Sequence, residues 1–134
     1  MTITVRIATT AVAVLMTGAM AACSSDKPAV CDDVDTLQSS IDNLQDVQVS
    51  ENGLNAMSST LTQIKQDLQQ LGADTKAEFG DEADAVRASV TALEESVDGA
   101  KADPSSTTLS AVGTAVTGVE GSLTALIEAV SGTC

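Results

Sequence analysis

The chain has 134 residues, of which 19 are Asp or Glu and 6 are Lys or Arg, so its net charge at pH 7 is −13. A surface this acidic repels the phosphates of nucleic acids, and we expect no nucleic-acid partner. The sequence contains no His, Trp or Tyr and a single Phe. A catalytic triad or a zinc site is hard to assemble from this composition, so the sequence predicts a protein without enzymatic activity, metal or cofactor.

Residues 1–22 have the pattern of an export signal. Arg6 lies in a short first segment, an uncharged apolar run follows, and small residues occupy positions 21 and 22. The run is too short and too rich in Thr, Gly and Ala for a membrane span, which needs about 20 apolar residues. We therefore predict that residues 1–22 are removed.

The residues around Cys23 resemble the lipobox of bacterial lipoproteins. The stretch Met20-Ala21-Ala22-Cys23 fits the family pattern of a hydrophobic residue, two small residues and a cysteine, with Met20 where Leu is usual. The resemblance implies cleavage before Cys23, a diacylglyceryl group on its thiol and an acyl chain such as palmitate on its amine. It also implies export to the outer face of the cell membrane, with residues 23–30 as a lipid-attached tether. The alternative is a plain secreted protein in which Cys23 is a spare thiol.

Once Cys23 is assigned to lipid, Cys31 and Cys134 remain, and an oxidising compartment favours a disulfide between them. This bridge would close the domain formed by residues 31–134 into a ring. The alternative is metal ligation or thiol chemistry, which would need a CxxC spacing or a His. The sequence has neither.

After Cys31, apolar residues recur at alternating intervals of three and four in four successive segments, which is the period of amphipathic helices. The four predicted apolar stripes are Val34, Leu37, Ile41 and Leu44; Leu54, Met57, Leu61, Ile64, Leu68 and Leu71; Phe79, Ala83, Val86, Val90, Leu93, Val97 and Ala100; and Leu109, Val112, Val116, Val119, Leu123, Leu126 and Val130. No stretch alternates with period two for long enough to predict a strand.

Turn and cap residues set the predicted helix limits. Asp103 is the expected N-cap of the last helix, before Pro104 at its first position. Gly72 is expected to end the second helix in a left-handed conformation, with Asp74 or Asp81 capping the third. The predicted helices cover residues 32–48, 53–72, 75–102 and 104–131.

Short connections between helices favour antiparallel neighbours, so we predict an all-α, up-down-up-down antiparallel four-helix bundle closed by an end-to-end disulfide. An even number of antiparallel helices returns the chain to its starting end, where Cys31 and Cys134 would meet. The alternative is an elongated helical hairpin that dimerises, because seven-residue spacing also suits a coiled coil.

Two acidic clusters stand out: Asp32, Asp33 and Asp35 at the first helix start, and Glu78, Asp81, Glu82 and Asp84 near the third. Neither has the spacing of a calcium loop. The first interpretation is favourable charge near helix N-termini, and the alternative is cation binding.

The last helix has no Lys or Arg and contains several glycines, among them Gly113, Gly118 and Gly121. We interpret it as a low-propensity helix held by its neighbours; the alternative is a face that receives a partner.

The whole plan resembles the small lipoproteins of unknown function in high-GC Gram-positive bacteria, a resemblance that implies envelope location and no specific activity. We therefore expect a membrane-anchored, non-catalytic interaction or structural module with an unidentified envelope protein as partner. The alternative is a carrier of an apolar small molecule or lipid between the helices.

Overall fold

The computed structural model describes residues 27–74 and 77–134. Within these ranges the chain forms four α-helices and no strand: α1 (Ala29–Asp46), α2 (Leu54–Asp74), α3 (Gly80–Ala102) and α4 (Ser106–Val130). A 3₁₀ turn, Ala77–Phe79, precedes α3. The predicted signal segment and Cys23 lie outside the described residues.

The helices form the predicted antiparallel bundle. Lys65 of α2 contacts Glu94 of α3, and Ser58 of α2 contacts Lys101 of α3, so the residue numbers of the two helices run in opposite directions. Within the described ranges each helix packs against two neighbours, in the ring α1–α2–α3–α4, and no Cα atoms of diagonal helices lie within 8 Å of each other. The α3–α4 interface is the most extensive of the four, and the α1–α4 interface is the least extensive.

The apolar stripes predicted from the sequence form the core. All of their members are buried except Leu109 and Val116, which pack against the core while partly exposed. Val30 and Cys31 join the core at the start of α1. Burying a Leu, Ile, Val, Met or Phe side chain contributes about 1.5 to 3 kcal/mol, so these stripes supply most of the drive to fold.

Helix α1 begins earlier than predicted. It starts at Ala29, so residues 29 and 30, which we had assigned to the tether, are helical. Proline is tolerated just before or within a first helical turn, where its missing N–H is not needed, and Pro28 occupies the N-cap position. Val30 adds a buried apolar contact that favours the longer helix.

The predicted cap of α4 is wrong by two residues. The N-cap is Ser105, whose Oγ accepts a hydrogen bond from the Thr108 backbone N–H at 3.2 Å, while Thr108 Oγ1 accepts from the Ser105 N–H at 3.0 Å. This reciprocal pair is a capping box. Asp103 instead ends α3, where its backbone N–H bonds to the Gly99 carbonyl at 3.0 Å.

The predictions for the α2–α3 connection are also wrong. Gly72 lies inside α2, which continues to Asp74, and no described glycine has a positive φ. A glycine suits this helical position because Arg87 Nη2 donates to the Leu68 carbonyl at 3.1 Å and occupies the space that a Cβ on Gly72 would need. Helix α3 has Phe79 at its N-cap with no side-chain hydrogen bond, so neither predicted aspartate caps it.

Candidate functional site

The disulfide joins the two ends of the described chain at one end of the bundle. Cys31 lies in the first turn of α1 and Cys134 is the last residue; their Cα atoms are 5.7 Å apart across a sequence separation of 103. After α4 the Cys134 backbone N–H bonds to the Val130 carbonyl at 2.9 Å, which keeps the final residues coiled against the helix end. We call this region the disulfide end.

Lys27, the first described residue, is held at the disulfide end by two ion pairs. Its Nζ lies 2.6 Å from Asp35 Oδ2 and 3.2 Å from Asp32 Oδ1. Hydrogen bonds to Asp35 and then Asp32 raise the pKa of Lys27. Because the pairs are exposed, each contributes little to stability, but together they fix where the chain enters the bundle.

Two adjoining grooves run along the α1–α4 interface, which is the least extensive of the bundle. The groove beside the disulfide has a volume of about 290 Å³, and the next one along has about 210 Å³. Both are bordered by Gln38 of α1 and Ile127 of α4. The disulfide therefore links the chain covalently at one end of the α1–α4 interface, which is the least extensive of the four.

The opposite end of the bundle is formed by the α1–α2 and α3–α4 connections, and we call it the loop end. Val49 is 38% exposed, and among the described residues it is the only large apolar side chain that is exposed. Gly53 is required here because a Cβ on it would overlap the Gln48 carbonyl. A cleft of about 240 Å³ lies between the two connections, with Glu51 and Lys101 among its lining residues.

The structure separates the members of the acidic clusters. Asp32 and Asp35 face Lys27, whereas Asp33 lies on the side of α1 that packs against α2. Asp84 pairs with Arg87 at 2.5 Å. Across residues 27–74 and 77–134, no group of three or more His, Cys, Asp or Glu side chains is arranged to hold a metal ion.

The α1–α2 interface contains polar side chains that the sequence analysis did not single out. Ser40 and Asp67 are both 9% exposed, and Ser40 Oγ donates to Asp67 Oδ2 at 2.5 Å. The signal that could have found them is spacing: Ser40 follows Asp33 by seven residues, and Asp74 follows Asp67 by seven. Residues seven apart lie on nearly the same side of a helix, so Asp33 and Ser40 share one side of α1, and Asp67 and Asp74 share one side of α2.

Among the described helices, α4 alone has the length and composition of a membrane span, and 22% of its most apolar 18-residue window is buried. Core helices of globular proteins can also meet this criterion. Helix α4 packs against α1 and α3, and its exposed positions are mainly Thr, Ser, Gly and Ala, with Glu128 near its end.

No family model matches the chain, and the searches of curated proteins and of solved structures also give no match. Function is therefore inferred from the geometry of the two ends and of the helix interfaces.

Proposed function

We propose that this protein is a membrane-anchored cell-envelope lipoprotein whose bundle is a non-catalytic interaction or structural module. The observation that carries the proposal is that the two ends of the bundle differ. The chain enters beside the disulfide through Lys27, whereas the exposed Val49 and the cleft between the two connections lie at the loop end. A lipid on Cys23 would then hold the disulfide end near the bilayer and present the loop end to a partner.

The tether in this proposal is short. From Cys23 to Lys27 the chain has four peptide steps, which span at most about 14 Å at 3.3 to 3.6 Å per residue. Helix α4 has 25 residues, and at 1.5 Å per residue it is about 37 Å long. The loop end can therefore reach about 50 Å from the anchored sulfur, which confines the partner to the membrane-proximal envelope.

Charge supports an upright position of the bundle. Removal of residues 1–22 takes away Arg6 and leaves 5 basic against 19 acidic residues, a net charge of 5 − 19 = −14. This charge repels anionic headgroups, and because α1 and α3 carry most of it, the sides that these two helices form are disfavoured from lying on the bilayer. A partner at the loop end is expected to offer an apolar contact for Val49 within a neutral or basic surface.

A photocrosslinking amino acid tests the proposal when placed at Val49 of the full-length protein in intact cells. The matched control carries the same group at Ser131, which is exposed at the disulfide end. The proposal predicts discrete protein adducts from position 49 that are absent from position 131. Identical adducts from both positions, or no protein adduct from position 49, would contradict it.

The α1–α4 grooves favour a second candidate, the carriage of an apolar molecule. Their volumes of about 290 and 210 Å³ lie below the roughly 300 to 1,000 Å³ of small-molecule pockets, so the α1–α4 interface would have to widen to admit a ligand. Native mass spectrometry of protein purified from its own membrane tests this. A stoichiometric apolar adduct that is lost in Ile127→Gln supports a carrier, and bare protein argues against it.

A further inference from the structure

The α1–α2 interface contains a fully satisfied polar pair, Ser40 and Asp67. Ser40 Oγ donates to Asp67 Oδ2 at 2.5 Å, and Gln63 Nε2 donates to Asp67 Oδ1 at 2.9 Å. Each oxygen of this carboxylate therefore has a donor. Such satisfaction is what allows a charged group to be buried at acceptable cost.

One heptad away on both helices a related pair occurs in a more open setting, where Asp33 is partly buried and Asp74 is exposed. Asp74 follows Asp67 by seven residues, and Gln70 Nε2 donates to Asp74 Oδ2 at 2.6 Å, just as Gln63 serves Asp67. On α1, however, the equivalent of Ser40 is Asp33. A carboxylate acceptor thus stands where the first pair has a hydroxyl donor.

The Asp33–Asp74 pair therefore lacks a hydrogen-bond donor. Asp33 Oδ2 is buried and has no hydrogen-bond partner. Burial, and then the neighbouring Asp74 carboxyl, raise the pKa of Asp33, and the charges of Asp32 and Asp67 act in the same direction. An unpaired buried oxygen and two facing carboxylates are both relieved by one added proton.

The surroundings offer no compensating cation from the described residues. The charged groups acting on Asp33 are Asp32 on its own helix and Asp67 and Asp74 on α2. Glu78, before α3, borders the same small cavity as Asp74, and Lys27 is engaged by Asp32 and Asp35. The segment that follows α4 meets α1 at Cys31, two residues from Asp33 and so about 200° away around the helix.

We propose that Asp33 and Asp74 bind one proton between them, so that the α1–α2 interface tightens as the surrounding medium becomes acidic. In the Asp33–Asp74 pair this proton has the role that the Ser40 hydroxyl hydrogen has in the Ser40–Asp67 pair. This site lies on a different interface from the loop end, so it does not depend on the proposed function.

Thermodynamic linkage determines whether the stability of the fold rises or falls with pH. The ordinary pKa of aspartate is 3.8, and the folded chain holds the Asp33 proton more tightly than the unfolded chain does. The stability contributed by the shared proton is fully present below 3.8 and is lost as the pH rises through the raised value.

Urea unfolding of the full-length chain in a Cys23→Ser background, from pH 4 to pH 8, tests the proposal with Asp33→Ser. This variant places a hydroxyl donor opposite Asp74, as in the Ser40–Asp67 pair. We therefore expect it to be more stable than the parent at pH 7, and we expect the difference in stability to shrink towards pH 4. It should also lose up to about one of the protons taken up on folding. The control Asp42→Asn removes an exposed carboxylate from the same helix and should keep the parent's proton uptake.

A carboxyl ¹³C NMR titration of the parent protein provides a second readout that needs no variant. The Asp33 carboxyl should titrate above the range of ordinary aspartates. Independent titration of Asp33 in the ordinary range, or unchanged proton uptake in Asp33→Ser, would overturn the proposal. So would calcium stabilisation at pH 7 that Asp33→Ser abolishes, because the pair would then hold a cation.

Discussion

Removal of the disulfide between Cys31 and Cys134 is expected to cost a large part of the stability of the bundle. The bridge closes a loop with a sequence separation of 103. In the chain-entropy model, a loop of this length lowers the free energy of the folded state relative to the unfolded state by about 4.7 kcal/mol at 25 °C. Domains are typically stable by 5 to 15 kcal/mol, so the variant should be marginally folded. The loss should open α1 from α4 first, because their interface is the least extensive.

The assay compares urea unfolding of Cys134→Ala and Cys31→Ala/Cys134→Ala with the parent, all in the Cys23→Ser background. Both variants lack the bridge, so the difference between them isolates the packing of Cys31, which is 1% exposed. Hydrogen exchange should show lost protection in α1 and α4 before α2 and α3. A loss of under about 1 kcal/mol in Cys134→Ala would refute the entropic reasoning, and uniform exchange across all four helices would refute the weak α1–α4 interface.

Four further substitutions, in two matched pairs, test local features of the helices. Gly118→Ala should raise the free energy of unfolding by about 1 kcal/mol, because Gly118 is helical and nothing lies within 4 Å of the position of the added Cβ. Gly72→Ala should gain less or lose stability, because its Cβ would displace Arg87; equal gains in denaturation curves would show that Arg87 does not matter. Ser105→Ala should cost about 1 kcal/mol through loss of the capping box, with Ser106→Ala as a nearly neutral control; equal thermal shifts would contradict the assigned cap.

The sequence was sufficient to predict the helices, their core faces and the disulfide, because each depends on a repeated or long-range pattern. A stripe such as Leu54 to Leu71 contains many apolar positions, and one misjudged residue does not change its face. Helix ends depend on single residues that compete with neighbours. Asp103 and Ser105 are both good caps, and only the packed structure shows that Asp103 ends α3 while Ser105 begins α4.

The polar features were harder to predict because they depend on register between helices. Asp33 was recognised as part of an acidic cluster, but its neighbours in sequence, Asp32 and Asp35, bind Lys27 instead. Its partner Asp74 is known only once α1 and α2 are aligned. Likewise Gly72 looked like a helix end, and the reason for a glycine there is the side chain of Arg87 from the next helix.

The central claim, that Cys23 anchors the disulfide end of the bundle to the membrane, is tested most directly by the mass of the amino-terminal peptide from membrane-extracted protein. We expect a chain that begins at Cys23 and carries a diacylglyceryl group, and we expect Cys23→Ala to release the protein into the soluble fraction. An amino-terminal peptide with unmodified Cys23, or membrane retention of Cys23→Ala, would contradict it.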